Sequence, residues 1–282
     1  MRAGASEFGP VALAAVRVGG ASAFLLPLLL VRREAGQAWR RWPALVVVGL
    51  TNSALPFLCF TYAALTLPAG VMSVFNASTP LMGAVIAWLW LSDAMTRQRA
   101  VGLAIGFLGV LWLVWSRSGP AAASGLDLQA LGPVLACLAA TLCYGFAASF
   151  TKRYLSDVPP VAVAAGSQFS ATLMLAVPAY LWWPSVQPSA HAWGAALLLA
   201  VLCTGVAYVV FFHLIGQIGP ANTISVTFMI PLFAALWGWV FLDEAVSFDM
   251  VLGCATILFG TALTTGLLRW PQRWRAAPEA GG

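Results

Sequence analysis

Residues 78–109 read STPLMGAVIAWLWLSDAMTRQRAVGLAIGFLG, and residues 229–260 read MIPLFAALWGWVFLDEAVSFDMVLGCATILFG. The two align without a gap at an offset of 151 (229 minus 78). Pro80 falls on Pro231, Trp88 on Trp239, Leu91 on Leu242, Asp93 on Glu244, Gly102 on Gly253 and Gly109 on Gly260. Each copy is an apolar run, a short polar turn and a second apolar run. Self-similarity at a fixed offset marks a repeated unit.

The rest of the chain supplies the solvent for that unit. Of 282 residues, 61% are hydrophobic and only 8% are charged. A soluble domain is about 25% charged. The mean hydropathy of +0.89 fits a chain built from bilayer-spanning helices of about 20 apolar residues. Nine apolar segments follow one another, at about 8–31, 42–66, 69–91, 99–116, 129–150, 159–183, 192–214, 220–242 and 250–268. The expected fold is an all-α polytopic membrane protein of nine transmembrane helices. LLPLLLV at 25–31 runs into basic residues with no small-residue cleavage site, so the first segment reads as a retained helix and not a signal peptide.

An odd number of segments separates the two copies, so they run in opposite directions. The turns agree. TRQR at 96–99 is basic, whereas DEAVSFD at 243–249 carries no basic residue. Lys and Arg gather on cytoplasmic loops. With 32–41 inside, the inner loops hold Arg32, Arg33, Arg40, Arg41, Arg97, Arg99, Lys152, Arg153, Arg269, Arg273 and Arg275, and the outer ones Arg2 and Arg117. That places the C-terminus in the cytoplasm. Two inverted-topology repeats are expected, at 1–117 and 129–270, followed by a disordered cytoplasmic tail at 271–282. Inverted repeats of this kind characterise secondary transporters.

EFGPVALAA at 7–15 lies over DVPPVAVAA at 157–165, at an offset of 150 (157 minus 7). The second repeat carries a helix, 132–150, ahead of that point, and the first has none. The symmetry therefore predicts ten helices and an internal Met1; the alternative is a true nine-helix variant.

These residues resemble the EamA-like type of the drug/metabolite transporter superfamily. The resemblance is carried by FGPVALAAVRVGGASAFLLPLLL, TYAALTLPAG, STPLMGAVIAWLWLSD, YGFAASFTKRYLSDVPP and MIPLFAALWGWVFLDE. It covers nearly the whole chain, and it implies a ten-helix carrier of two inverted halves around a central cavity. The implied activity is transport, most simply export, of small metabolites or drugs in a bacterial inner membrane. This chain departs from that pattern by lacking the first, cavity-lining helix. Two other readings stay open: a non-transporting fragment or membrane interaction subunit, and an uncoupled facilitator or channel.

Candidate site residues follow from polarity at membrane depth. Pro80 and Pro231 lack an N–H and free the carbonyls of Asn76 and Thr227. Ser73, Asn76 and Pro80 share one helix face, and Thr223, Thr227 and Pro231 another. Freed backbone must meet protein or a water-lined cavity, so these positions mark either a binding site or a kink held by neighbouring hydroxyls. Arg17 lies near the middle of its segment, where a charge costs about 2.5–3.5 kcal/mol on insertion scales. It either meets an anionic group of a solute or bonds to carbonyls. Its repeat counterpart is Ser167, so symmetry does not require the charge. Tyr144, Gln168 and Tyr208, with Phe57, Phe60, Tyr62, Trp88 and Trp237, could line a cavity or pack in the core or interface belt. His213 is a weak candidate for coupling. Gly102, Gly106, Gly109, Gly253 and Gly260 form small-residue faces for helix packing, within each half or in a homodimer.

The absences narrow the function. All nine acidic residues fall in loops or at helix ends, so no carboxylate offers an intramembrane proton relay. No phosphate loop, nucleophile elbow or zinc-protease motif occurs, and no metal or cofactor site is expected. The five cysteines form no C-x-x-C pair and read as core filler. The net charge of +5 is spread over short inner loops and gives no nucleic-acid stripe. The expected partners are a small-molecule substrate and the lipid bilayer.

Overall fold

The structure, a computed structural model, describes residues 2–92, 95–118, 128–211, 213, 230–242 and 247–268. They are helical throughout apart from short turns. Seven helical stretches among them are long and apolar enough to cross a bilayer. Large apolar side chains such as Leu30, Tyr180, Phe241 and Phe248 lie exposed on the outside of the bundle, as lipid solvent allows.

The first half comprises α1 (Arg2–Val31), α2 (Ala35–Arg40), α3 (Trp42–Gly49), α4 (Leu55–Ala63), α5 (Ala69–Asn76), α6 (Thr79–Leu91) and α7 (Arg97–Ser118). The second comprises α8 (Leu128–Tyr154), α9 (Pro160–Leu181), α10 (Ala190–Ala200), α11 (Ile230–Leu242) and α12 (Phe248–Thr265). Three apolar segments are interrupted where the sequence suggests single helices. Leu50–Ala54, between α3 and α4, is a turn of π-helix, and so is Val201–Val206 after α10. These lie at one repeat position, since 50 plus 151 is 201. The third break, at Ala77–Ser78, separates α5 from α6.

α7 packs along α12, the equivalent helix of the other half. Their glycines set the distance. A Cβ on Gly102 would fall 2.6 Å from Thr264 Oγ1 and 2.7 Å from the Gly260 carbonyl oxygen. One on Gly109 would fall 2.9 Å from Ile257 Cγ1, and one on Gly260 would strike the backbone of Gly106. The contact 109–257 becomes 260–106 when each residue is replaced by its counterpart at the offset of 151, so a pseudo-two-fold axis passes between the helices. Gly102, Gly109 and Gly260 thus meet a helix of the opposite half of the same chain, whereas a Cβ on Gly106 would strike Leu81 of its own half. Gly253 is also buried. The N-caps match as well: Thr96 Oγ1 accepts from Arg99 N, and its counterpart Ser247 Oγ accepts from Met250 N, each at 3.3 Å.

α1 packs on α9, α10, α4 and both π-turns. It bends at Gly9 (φ 72°, ψ 167°), a conformation open to glycine alone, followed by Pro10. α3 with α4, and α5 with α6, each make up one crossing, so Arg32, Arg33, Arg40, Arg41, Arg97, Arg99, Lys152 and Arg153 stand at the ends of crossings on one face of the bundle, where Arg41 meets Asp157 and Arg153 meets the Trp90 carbonyl.

Candidate functional site

The interior at mid-depth is polar where the two halves cross. Arg17, on α1, donates from Nε to Thr204 Oγ1 at 2.8 Å. Thr204 lies in the second π-turn, is fully buried, and donates in turn to the Leu199 carbonyl five residues back at 2.9 Å. The guanidinium lies over the ring of Phe57, 3.7 Å from Cζ to the centroid. A desolvated contact of this kind is worth about 2 kcal/mol. The charge is thus held by a hydroxyl and an aromatic face.

The same construction recurs in the other half. Gln168, on α9, donates from Nε2 to Ser53 Oγ at 2.7 Å, and Ser53 lies in the first π-turn. The arithmetic is that of the repeat: 17 plus 151 is 168, and 53 plus 151 is 204. Each half therefore sends one long side chain across to a hydroxyl in the other half's π-turn. The counterpart of Arg17 in space is Gln168, not Ser167 as the sequence register of the helix starts suggests. The offset of 151 set by the α7/α12 pair holds here also. Gly49 against Ala171 and Gly20 against Ala200 are likewise one contact seen twice.

Tyr208 closes the site. Its hydroxyl accepts from Asn52 Nδ2 at 3.0 Å and donates to the Asn52 carbonyl at 3.3 Å. The α-helical donor to that carbonyl, the N–H four residues ahead, is missing because that residue is Pro56. Gln168 and Ser53 lie beside Tyr208. Tyr144 stacks on Phe60, with centroids 6.1 Å apart, and packs with Tyr208 and Phe57 against Ala14, Val18 and Ala54. Ser22 and Thr172 share a hydrogen bond of 3.0 Å one turn further along. Gln168 is wholly buried, and its Oε1 has no hydrogen-bond partner among the described residues. Leaving such a carbonyl unpaired costs roughly 1–3 kcal/mol.

The structure thus brings together six of the residues singled out by sequence: Arg17, Phe57, Phe60, Tyr144, Gln168 and Tyr208. Asn76 and Pro80 stand elsewhere, at the break between α5 and α6. Pro80 frees the Asn76 carbonyl as expected, and Thr79 Oγ1 takes it at 2.7 Å, while Ser78 Oγ takes the Phe75 carbonyl at 2.6 Å. The hydroxyls therefore satisfy this backbone locally. Pro231 opens α11, and Thr223 and Thr227 lie outside the described residues. His213 is helical and exposed. Tyr62, Trp88 and Trp237 are exposed and face outward.

Sequence reasoning missed Ser53, Thr204 and Asn52. Short hydroxyls in apolar helices are common and carry little signal. The combination of Asn52, Ser53 and Pro56 within one apolar segment is a usable one, because a proline four residues after a polar residue orphans a carbonyl.

The model of the EamA-like transporter family matches residues 1–115 and again 131–266. The chain is 26% identical over 259 residues to "Uncharacterized transporter YvbV" of Bacillus subtilis, covering 90% of this chain and 82% of that protein. It is 26% identical over 285 residues to "Uncharacterized inner membrane transporter YedA" of Escherichia coli, covering 99% and 89%. A solved crystal structure shares the fold at a TM-score of 0.66 and 20% identity, over 94% of this chain and 92% of that one. Matched in both halves and along nearly its whole length, this polytopic helical membrane protein belongs to the EamA-like transporter family.

Proposed function

We propose that the protein is a secondary carrier that moves a small metabolite or drug by alternating access between its two inverted halves. The observation that carries this reading is the crossed pair, Arg17 to Thr204 and Gln168 to Ser53. Buried polar side chains at membrane depth are kept for solute and ion paths. These lie where the halves meet, beside two π-turns, a feature frequent at functional sites. Arg17 supplies a positive charge and Gln168 Oε1 an unpaired acceptor. Both suit a solute with an anionic group and a hydrogen-bond donor, bounded by Phe57, Tyr144 and Tyr208. The resemblance favours export across a bacterial inner membrane, and the Lys and Arg bias favours a cytoplasmic C-terminus. A homodimer would need a surface other than the glycine face of α7, which α12 covers.

An uncoupled facilitator is the second reading, favoured by the lack of an intramembrane carboxylate. Counterflow in proteoliposomes separates the two. A solute panel is first screened by thermal shift. A hit loaded inside should then accelerate entry of labelled solute for a carrier. Equal entry with and without internal solute would mean a facilitator, and no entry for any hit would overturn both.

A further inference from the structure

We propose that two polar contacts, Asp157 with Arg41 and Glu7 with Ser189, are paired latches that close the two mouths of the path between the halves and release in turn. This rests on the carrier reading above.

The first contact joins Asp157, in the turn ahead of α9, to Arg41, the N-cap of α3. Arg41 Nη2 donates to Asp157 Oδ2 at 2.6 Å, and the side chains are 49% and 58% exposed. The second joins Glu7, on the part of α1 ahead of the Gly9 bend, to Ser189, the N-cap of α10. Glu7 Oε2 accepts from Ser189 N at 2.6 Å, and Oε1 accepts from Ser189 Oγ at 2.9 Å. Ser189 Oγ accepts from Ala192 N at 3.2 Å, as a helix cap does.

The two contacts stand at corresponding places in the two halves, although the offset of 151 carries Glu7 to Val158 and Ser189 to Ala38 and so pairs neither residue with its opposite number. Each carboxylate stands three residues before a proline, Glu7 before Pro10 and Asp157 before Pro160. Ser189 caps the first turn of α10, and Arg41 stands just ahead of the first turn of α3, the corresponding helix of the other half. They lie on opposite faces of the bundle, because α1 and α10 begin on one face and α3 and α9 on the other. A two-fold axis in the membrane plane converts a state open at one face into a state open at the other. Contacts at corresponding places on the two faces therefore open in turn, from a state like this one in which both are made.

Their chemistry suits release. Both are at the surface, so breaking them leaves no charge stranded in apolar surroundings, unlike the crossed pair at mid-depth. Glu7 also sits beyond Gly9, whose positive φ gives a pivot between the latch segment and the straight part of α1. The latches differ in kind. Asp157 with Arg41 is an ion pair open to water and is weakened by salt. Glu7 binds a backbone N–H and a hydroxyl, and depends on salt less.

The test is distance measurement by paired spin labels in lipid nanodiscs, with Cys59, Cys137, Cys143, Cys203 and Cys254 replaced by alanine. One label pair replaces the exposed Gln37 and Ser156 on the Arg41 face; the other replaces the exposed Ser6 and Gln187 on the Glu7 face. Asp157→Ala should enlarge the longer-distance population of the first pair and leave the second short. Glu7→Ala should do the reverse. An exposed contact of this kind changes such a population by less than about tenfold. Exchanging the charges, Arg41→Asp with Asp157→Arg, should restore the short distance at the Arg41 face, which a misfolded protein would not do. Both single variants opening the same pair, or neither moving either pair in a protein that shows counterflow, would overturn the latches and leave the carrier reading standing. A wild-type protein without counterflow for any thermal-shift hit would overturn the carrier reading and the latches with it.

Discussion

Two regions obey the same two-fold axis in different ways. Along α7 and α12 the geometry repeats and the chemistry nearly does: Gly109 and Gly260 each meet backbone, Thr96 and Ser247 cap their helices at the same 3.3 Å, and the exception is Gly106, whose counterpart is Ile257. At mid-depth the geometry repeats and the chemistry does not. Arg17 faces Thr204 while Gln168 faces Ser53, and Pro56 of the first half has Ala207 as its counterpart. Where a region only has to pack, the best solution is the same in both halves. Where one asymmetric solute must be held, the two copies have reason to diverge. On the carrier reading proposed above, the crossed pair is the working part and the seam its frame.

The largest expected effect breaks the frame. Gly260→Leu places a branched side chain against the backbone of Gly106, which has no side chain to move aside. We expect a loss of about 3 kcal/mol or more. In detergent the variant should aggregate on size exclusion, whereas Gly194→Leu, at a position with open space around its Cβ, should elute as the parent does.

The second prediction sharpens the asymmetry. Arg17→Gln makes the crossed pair alike in both halves, and the glutamine can still donate to Thr204. Thermal stability should stay close to that of the parent, while counterflow of a solute with an anionic group should fall at least about tenfold. One charge-assisted hydrogen bond is worth about 1.5–3 kcal/mol. Unchanged counterflow would remove Arg17 from the site. Arg17→Ala should lose the transport and also some stability, since Thr204 then lacks its donor.

Tyr208→Phe tests a smaller difference. It removes the hydroxyl that serves both Asn52 Nδ2 and the carbonyl orphaned by Pro56. A cost of about 1–2 kcal/mol follows from the loss of a buried bond. In Pro56→Ala the new N–H can serve the Asn52 carbonyl instead. Thermal midpoints should show Tyr208→Phe to be less damaging in the Pro56→Ala background than alone.

The smallest effect concerns pH. The hydrogen bond from Arg41 holds the Asp157 carboxyl below its ordinary range. A depressed folded value means that the contact is fully present above the ordinary aspartate pKa of about 4 and fades as pH falls through the lower folded value. The Gln37–Ser156 distance should therefore be the same at pH 7 and pH 5. In Arg41→Gln it should differ little at either pH from that in Asp157→Ala.

The fold was legible because its signals are periodic and redundant. Apolar segments announce helices, and Pro80/Pro231, Gly102/Gly253 and Gly109/Gly260 fix a register with no gap. The site was legible in part. Arg17 and Gln168 stood out because long polar side chains are rare at that depth. Their partnership was not, since the register read from Pro10 over Pro160 is off by one residue, about a quarter turn of helix. The hydroxyls of Ser53 and Thr204 gave no signal, because threonine and serine in apolar helices usually bond to their own backbone, as Thr261 does to the Ile257 carbonyl. Neither π-turn was predicted. A hydrogen-bond register one residue wider leaves no mark on composition.

The seam between α7 and α12 also sets a timetable. Gly102 and Thr264 are 162 residues apart (264 minus 102), so the groove of α7 is made long before the helix that fills it. At about 5–20 residues per second of synthesis that interval is roughly 8–30 s. During it α7 lies in the bilayer with a strip of glycine backbone open to lipid and to any passing helix with small residues. Insertion of α12 ends this exposure. Assembly of the frame is therefore a late event, and a stalled or shortened chain would be a target for membrane quality control whatever the state of its central site.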